Sequence, residues 1–231
     1  HTARLVNLAE AATTLAHELN QPLNAILGYN AACLRLLDAG DTDLGELAAA
    51  MEKCRVQAAR AGEIVQRVRE LTRKRTPTLS PCDLNAMLRE VLRWLADDLD
   101  RSAVRVTLDL GATLPPVHAD RLLIEQVMLN LVNNAMEAMA SVPSTERMIH
   151  VATERAGADG VRVTIADGGI GIAAEHAARM FTPFFTTKAQ GLGLGLAICR
   201  SVVELHGGRL WHEARRQGGT AFHFSLPAGA S

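Results

Sequence analysis

Apolar residues recur along the first 75 positions at alternating steps of three and four. Leu5, Leu8, Ala12, Leu15, Leu19, Pro22, Ile26, Tyr29, Cys33 and Leu36 form one heptad seam, weakest at Pro22 and Tyr29. Gly40-Asp41-Thr42-Asp43 then supplies breaker and capping chemistry. A second seam follows at Leu44, Leu47, Met51, Cys54, Ala58, Ala61, Val65 and Val68. The spacing predicts two helices of about 30 residues, each roughly 45 Å long. A short loop between them makes an antiparallel hairpin. One hairpin cannot bury both seams with their apolar flanks, whereas two hairpins in a four-helix bundle can. A homodimer is therefore expected.

The second helix closes on Arg67, Arg69, Arg73, Lys74 and Arg75. These cations either complement a helix C-terminus or form a phosphate or partner patch. Thr76-Pro77-Thr78-Leu79-Ser80-Pro81 reads as a stiff linker. Beyond it the pattern alternates. Residues 83–100 form a helix with Leu84, Met87, Leu88, Val91, Leu92 and Leu95 inward. Residues 104–108 alternate as a strand, and 120–141 form a helix carrying Leu123, Ile124, Val127, Met128, Leu131, Ala135 and Met139. Strands at 149–153 and 161–166, a helix at 191–206 and strands at 209–213 and 220–226 complete an α/β sandwich. A mixed sheet with helices on one face is expected.

Composition narrows the class. Of 231 residues 48% are hydrophobic, enough for a buried core and too many for wholesale disorder. Lys+Arg at 24 against Asp+Glu at 25 leaves a net charge of −1, which disfavours a nucleic-acid-coating protein. Aromatics at 3% make base-stacking platforms improbable. Cys33, Cys54, Cys82 and Cys199 stand singly, without a C-x-x-C pair, and suit a reducing cytosol. No apolar run approaches the roughly 20 residues of a membrane span, and no signal peptide is read at the start. The chain starts on His rather than Met and is expected to be a piece of something longer.

Four constellations carry candidate chemistry. His17 falls at the heptad position pointing furthest from the seam, so an imidazole there is reachable by a partner and can act as a nucleophile; the competing reading is an ordinary surface histidine. Its surroundings read His17-Glu18-Leu19-Asn20-Gln21-Pro22, with Gln21 one turn on along the same face and Pro22 loosening the helix below. Asn130 and Asn134 share a helix face, with Glu137 three further. Asn is a poor helix-interior residue, and an amide oxygen completed by phosphates suits magnesium. Asp167-Gly168-Gly169-Ile170-Gly171 follows a strand: Asp167 can accept from an exocyclic amine, and Gly169 and Gly171 let backbone approach a ligand plane. Gly191-Leu192-Gly193-Leu194-Gly195 runs into a helix, where a glycine-rich N-terminus cradles phosphate or is simply a flexible loop. Between the glycine motifs, residues 172–190 hold Phe181, Phe184 and Phe185, three of the five Phe, as befits a lid that docks on apolar surface. Gly218-Gly219-Thr220 reads alone as a hairpin turn.

In this order the motifs resemble the cytoplasmic kinase core of two-component sensor histidine kinases, over essentially the whole chain. The family's H box matches 17–22, its N box 125–135, its first glycine box 167–171, its F box 181–188 and its second glycine box 191–195. The spelling His-Glu-Leu-Asn-Gln-Pro-Leu-Asn-Ala-Ile, with Thr-Thr-Lys in the lid, is most similar to the oxygen- and dicarboxylate-sensing subgroup. The resemblance implies that His17 is the phosphoacceptor and Glu18 its acidic helper. It implies Asn134 as magnesium ligand, Asn130 as a nucleotide-facing residue, and Asp167 with Gly169 and Gly171 as the adenine site, supported by Thr220. Gly191, Gly193 and Gly195 are then the phosphate-side glycines. Departures are Gly168 for a usual Asn, Glu137 for a common Lys, Thr186 for a common Arg and Thr182 for a common Glu, which leaves Lys188 as the candidate cation for the γ-phosphate.

The expected fold is α+β: a dimeric antiparallel four-helix bundle, one hairpin per chain, then a Bergerat-type sandwich. Expected boundaries are 1–76 for dimerisation and phosphotransfer, 77–82 for the linker and 83–231 for catalytic ATP binding. The resemblance implies ATP and Mg2+, autophosphorylation of His17 and transfer to an Asp of a response-regulator receiver domain; Gln21 either aids a phosphatase activity on that regulator or is a solvated polar residue beside Pro22. No nucleic-acid partner and no membrane contact by this segment are expected. A cytoplasmic location is expected for this core, the full-length protein being either soluble or attached to the inner membrane, with any sensor or membrane domain upstream. Three rival readings are another ATPase of the same nucleotide fold, a scaffold with a dead nucleotide site, and a dedicated phosphatase.

Overall fold

The computed structural model describes residues 2–38, 43–72, 77–157, 160–188 and 193–229, with side chains in the N-terminal helices described for 19–38, 43–62, 64 and 65. The chain divides into two compact units, residues 1–74 with 186–194, and residues 75–185 with 195–231.

In the first unit α1 (Thr2–Asp38) packs along α2 (Leu44–Thr72). Pro22 lies inside α1 without ending it and is itself buried. Asp43 starts α2, its carboxylate accepting from Gly45 N at 2.7 Å. The seam read on α1 is the packed face: Leu19, Ile26, Tyr29 and Leu36 are half-buried, and Pro22 and Cys33 are buried. The side chains of Leu5, Leu8, Ala12, Leu15 and Val68 lie outside the described residues.

Within one copy the seam read on α2 divides between two faces. Leu47, Cys54 and Ala61 do face α1, but they alternate with Ala50, Gln57 and Ile64, whereas Leu44, Met51, Ala58 and Val65 are exposed. Positions three before and four after 47 and 54 flank the same wheel sector as those three after. A heptad pattern therefore cannot tell which flank meets the partner helix. The Cys54 thiol marks the crossing, donating to Ile26 O at 3.8 Å.

The second unit is a two-layer sandwich. Its main sheet contains β2 (Arg105–Leu110), β4 (Met148–Arg155), β5 (Gly160–Asp167), β7 (Thr220–Pro227) and β6 (Arg209–Ala214), in the order β2-β4-β5-β7-β6. β2 and β4 run parallel and the other pairs antiparallel. α3 (Leu84–Trp94), α5 (Arg121–Ala138) and α7 (Gly195–Leu205) cover one face. Period-2 alternation makes this layer: Ile149, Val151, Val163, Ile165 and Phe224 point to the helices and are buried. Ala152, Thr164 and Trp211 point the other way and stay partly exposed.

The sequence pattern missed β1 (Ser80–Cys82), β3 (Val117–Ala119) and α6 (Ala174–Ala177), which are too short to show a period. β1 pairs with β3, so part of the expected linker is strand. The expected 83–100 helix is two, α3 and α4 (Ala96–Arg101), interrupted at Leu95 with φ −90° and ψ 3°. The start of α5 is fixed by buried Asp120, whose carboxylate accepts from Thr78 N at 3.1 Å and Leu123 N at 3.4 Å. Its own N–H donates to His206 Nε2 at 3.0 Å, while His206 Nδ1 donates to Val202 O at 2.7 Å. The His206 imidazole thus ties the start of α5 to the end of α7 through both ring nitrogens. Among the described residues no helix is long and apolar enough to cross a membrane.

Candidate functional site

Asp167 ends β5 in the phase of Val161, Val163 and Ile165, so alternation delivers its carboxylate to the interior between sheet and helices. It is 1% exposed. Oδ1 accepts from Gly169 N at 2.8 Å and Thr220 N at 3.2 Å, and neither of these bonds uses Oδ2. Arg215 Nη1 donates to the Asp167 carbonyl at 2.6 Å. Burial pushes the Asp167 carboxyl above the usual carboxylate range, opposed by the Gly169 and Thr220 N–H groups and by the Arg215 charge.

The glycines around Asp167 act for different reasons. A Cβ on Gly169 would lie 2.6 Å from Ala138 O, at the end of α5. Gly169 thus has no room for a side chain because helix backbone crosses it. Gly171 has room around it but adopts φ +74°, a left-handed conformation that glycine takes freely. Position 168 has space for a side chain, its nearest neighbour being Glu146 O at 3.5 Å from a built Cβ.

Helix α5 connects this turn to the start of α7. Asn130, Asn134 and Ala138 recur at i, i+4 and i+8, one row of the helix spanning about 12 Å. At one end Ala138 O accepts from Ile170 N at 3.2 Å. At the other, Asn130 Oδ1 stands 3.7 Å from a Cβ built on Gly195, the first residue of α7, and the Asn130 side chain hydrogen-bonds the Cys199 thiol. Burial pushes that thiol up to about 12, so it stays protonated. Asn134 lies between the two ends of the row. A carboxylate site at one end and a helix N-terminus at the other suit a long ligand with an amine at one end and anionic groups at the other.

Among the described residues no three His, Cys, Asp or Glu side chains could hold a metal ion. An ion held by the Asn134 amide would therefore be completed by substrate oxygens and water, a shell that suits magnesium.

The structure thus gathers Asp167, Gly169, Gly171, Thr220, Asn130, Asn134 and Gly195 in the second unit. Thr220, read alone as part of a turn, is 3% exposed and holds Asp167 directly. Lys188 and Gly193 belong to the first unit, Lys188 exposed and Gly193 at φ +62°. Gly191 lies outside the described residues. His17 and Glu18 stand in the backbone of α1, and their side chains lie outside the described ones. Gln21, four residues on, is exposed. The Phe-rich segment is engaged: the Phe181 ring lies 6.2 Å from His212 with Arg200 over it at 5.6 Å, and Arg179 lies 4.7 Å over Phe185. Arg215 went unnoticed in the sequence, because only strand pairing brings its hairpin to β5.

Two family models match. The His Kinase A (phospho-acceptor) domain covers residues 7–77, and the histidine kinase-, DNA gyrase B- and HSP90-like ATPase covers 119–230. The C4-dicarboxylate transport sensor protein DctS of Rhodobacter capsulatus is 46% identical over 226 residues, 98% of this chain and 34% of the relative. The sensor protein FixL of Bradyrhizobium diazoefficiens is 39% identical over 231 residues, 99% of this chain and 45% of the relative. The chain therefore spans less than half the length of these curated relatives. Histidine kinase ThkA, solved in complex with the response regulator protein TrrA, superposes with a TM-score of 0.76 at 29% identity, covering 99% of this chain and 64% of that one.

Proposed function

The chain belongs to the sensor histidine kinases, and on that premise we propose that it moves the γ-phosphoryl group of ATP to His17 and on to an aspartate of a response-regulator receiver domain. The observation that carries the reading is the buried Asp167, its Oδ1 saturated by backbone donors, at one end of the Asn130–Asn134–Ala138 row that leads to the glycine start of α7. In this reading Asp167 accepts from the adenine amine, with Gly169, Gly171 and Thr220 shaping its turn. Asn130 faces the nucleotide, and Gly191, Gly193 and Gly195 serve the phosphates. Lys188 is the cation for the γ-phosphate. Asn134 holds Mg2+, which when bound neutralises phosphate charge.

A His17 ring nitrogen attacks phosphorus while the bond to the ADP oxygen breaks, and the ring proton leaves to Glu18 or water. The P–N bond then breaks as the regulator's carboxylate takes the phosphoryl group. Residues 1–76 form the dimerisation and phosphotransfer part, 77–82 the linker and 83–231 the ATP-binding part. The exposed Leu27, Leu34, Met51 and Val65 support a homodimer through α1 and α2. Gln21, exposed one turn beyond His17, orients water for dephosphorylating the regulator. Free Cys33, Cys54, Cys82 and Cys199 support a reducing, cytoplasmic setting.

Incubation with γ-labelled ATP and magnesium tests the core of this reading. The label should be acid-labile and alkali-stable, as a phosphoramidate is. His17→Gln should abolish it while ATP affinity is retained; full labelling of that variant would move the acceptor elsewhere.

A further inference from the structure

We propose that Arg215 is a positioning residue of the adenine subsite, and that through the Asp167 backbone it sets the preference for a base bearing an exocyclic amine. The inference rests on the reading that Asp167 accepts from the adenine amine. The β6–β7 hairpin reaches Asp167 at three points. Arg215 Nη1 donates to the Asp167 carbonyl at 2.6 Å, and Thr220 N donates to Oδ1 at 3.2 Å. Gly219, at φ +84°, approaches so closely that a Cβ would lie 2.1 Å from the same carbonyl. The turn closes on itself through Arg215 N to Gly219 O and Gly218 N to Arg215 O, both at 3.2 Å. The guanidinium thus anchors the residue whose carboxylate reads the base.

Arg215 also supplies a positive charge beside a carboxylate whose burial disfavours ionisation. An ionised Asp167 accepts from an amine and repels a carbonyl oxygen at the same ring position. A protonated or displaced carboxyl loses that distinction. The neighbouring Arg216 is exposed on the same turn and serves as a control.

The test measures dissociation constants of ATP and inosine triphosphate by calorimetry, with self-labelling at saturating ATP. Inosine triphosphate carries oxygen where adenine carries the amine. Arg215→Ala should weaken ATP roughly tenfold and inosine triphosphate far less, collapsing the ratio, with kcat near wild type. Arg215→Lys should recover part of the ratio, and Arg216→Ala should leave it unchanged. An unchanged ratio in Arg215→Ala, or equal weakening of both nucleotides, would overturn the proposal, the latter because it marks a role in turn stability alone. Should Arg215→Ala fail to fold, Arg215→Lys decides, because loss of one hydrogen-bond geometry must still lower the ratio. Asp167→Asn separates the layers. If it keeps the wild-type ratio, the adenine reading itself fails. If it erases the ratio while the Arg215 variants keep it, only the Arg215 proposal fails.

Discussion

The two units bury their apolar residues in different ways. In the second, Met128, Leu131, Ile149, Val151, Val163 and Phe224 are fully buried within one copy of the chain. In the first, Leu27 is 67%, Leu44 75% and Met51 61% exposed, although all three lie in well-formed helices. A sheet covered by a helical layer closes its own core, because every inward side chain meets the opposite layer. Two helices touch along one stripe each and leave a second stripe bare. One unit thus closes its core within one copy, and the other leaves apolar side chains uncovered.

That contrast can be broken most sharply at the bare stripe. Leu34→Asp with Met51→Asp places charge in the proposed dimer seam of both copies, and dimer dissociation should rise more than about a hundredfold. Nucleotide affinity of the second unit should stay as it was. A dimer mass persisting in light scattering at micromolar concentration would show that the stripe is covered by something other than a second copy.

Within the self-sufficient unit, Met128→Ala removes a fully buried side chain of α5 and should lower unfolding stability by about 2–5 kcal/mol, with the dimer intact. Denaturant unfolding followed beside light scattering measures both, and a Met128→Ala loss that tracks dimer dissociation would erase the independence of the two units.

A smaller effect separates adjacent glycines. Gly169→Ala forces a methyl against Ala138 O and should cost about 1–3 kcal/mol and weaken ATP binding, whereas Gly168→Ala has room. Equal unfolding midpoints for the two variants would mean that α5 yields at its end.

The smallest effect concerns the polar face of the sheet. Burial holds the His223 imidazole below the usual histidine value, its Nε2 buried without a hydrogen-bond partner among the described residues. The Arg162 charge adds to the depression, while Glu213, 3.9 Å away, and Glu154 oppose it. The unfolded chain takes up a proton near pH 6.5 and the folded one only at lower pH. His223 therefore contributes stability above that range, and the contribution is lost as pH falls through the folded value. Urea midpoints at pH 7.5 and 5.5 should fall less for His223→Gln than for the wild type. Parallel curves would remove His223 from the account.

Much of the site was legible in the linear order of residues. Two Asn at i, i+4 on a helix must share a face, and an Asp at the odd phase of an apolar strand must point where the Val and Ile point. Such inferences need only the period of the element. Arg215 could not be found that way, because its neighbour Asp167 lies 48 positions away and is reached only by the pairing of β5 with β7. The reason for Gly169 was hidden equally, since it depends on where α5 ends.

Periodicity in the sequence by itself determined that two long helices precede an alternating sandwich, and which side chains each element offers inward. It left open which flank of α2 faces α1, because the flank at 44, 51, 58 and 65 is wholly apolar whereas the one beside it carries Gln57, and apolarity alone does not choose the partner. Only packing settled it, with Ala50, Gln57 and Ile64 turned in and Leu44, Met51 and Val65 turned out. Local period is set by backbone geometry within one element, whereas the choice of partner is set by contacts between residues far apart in the chain.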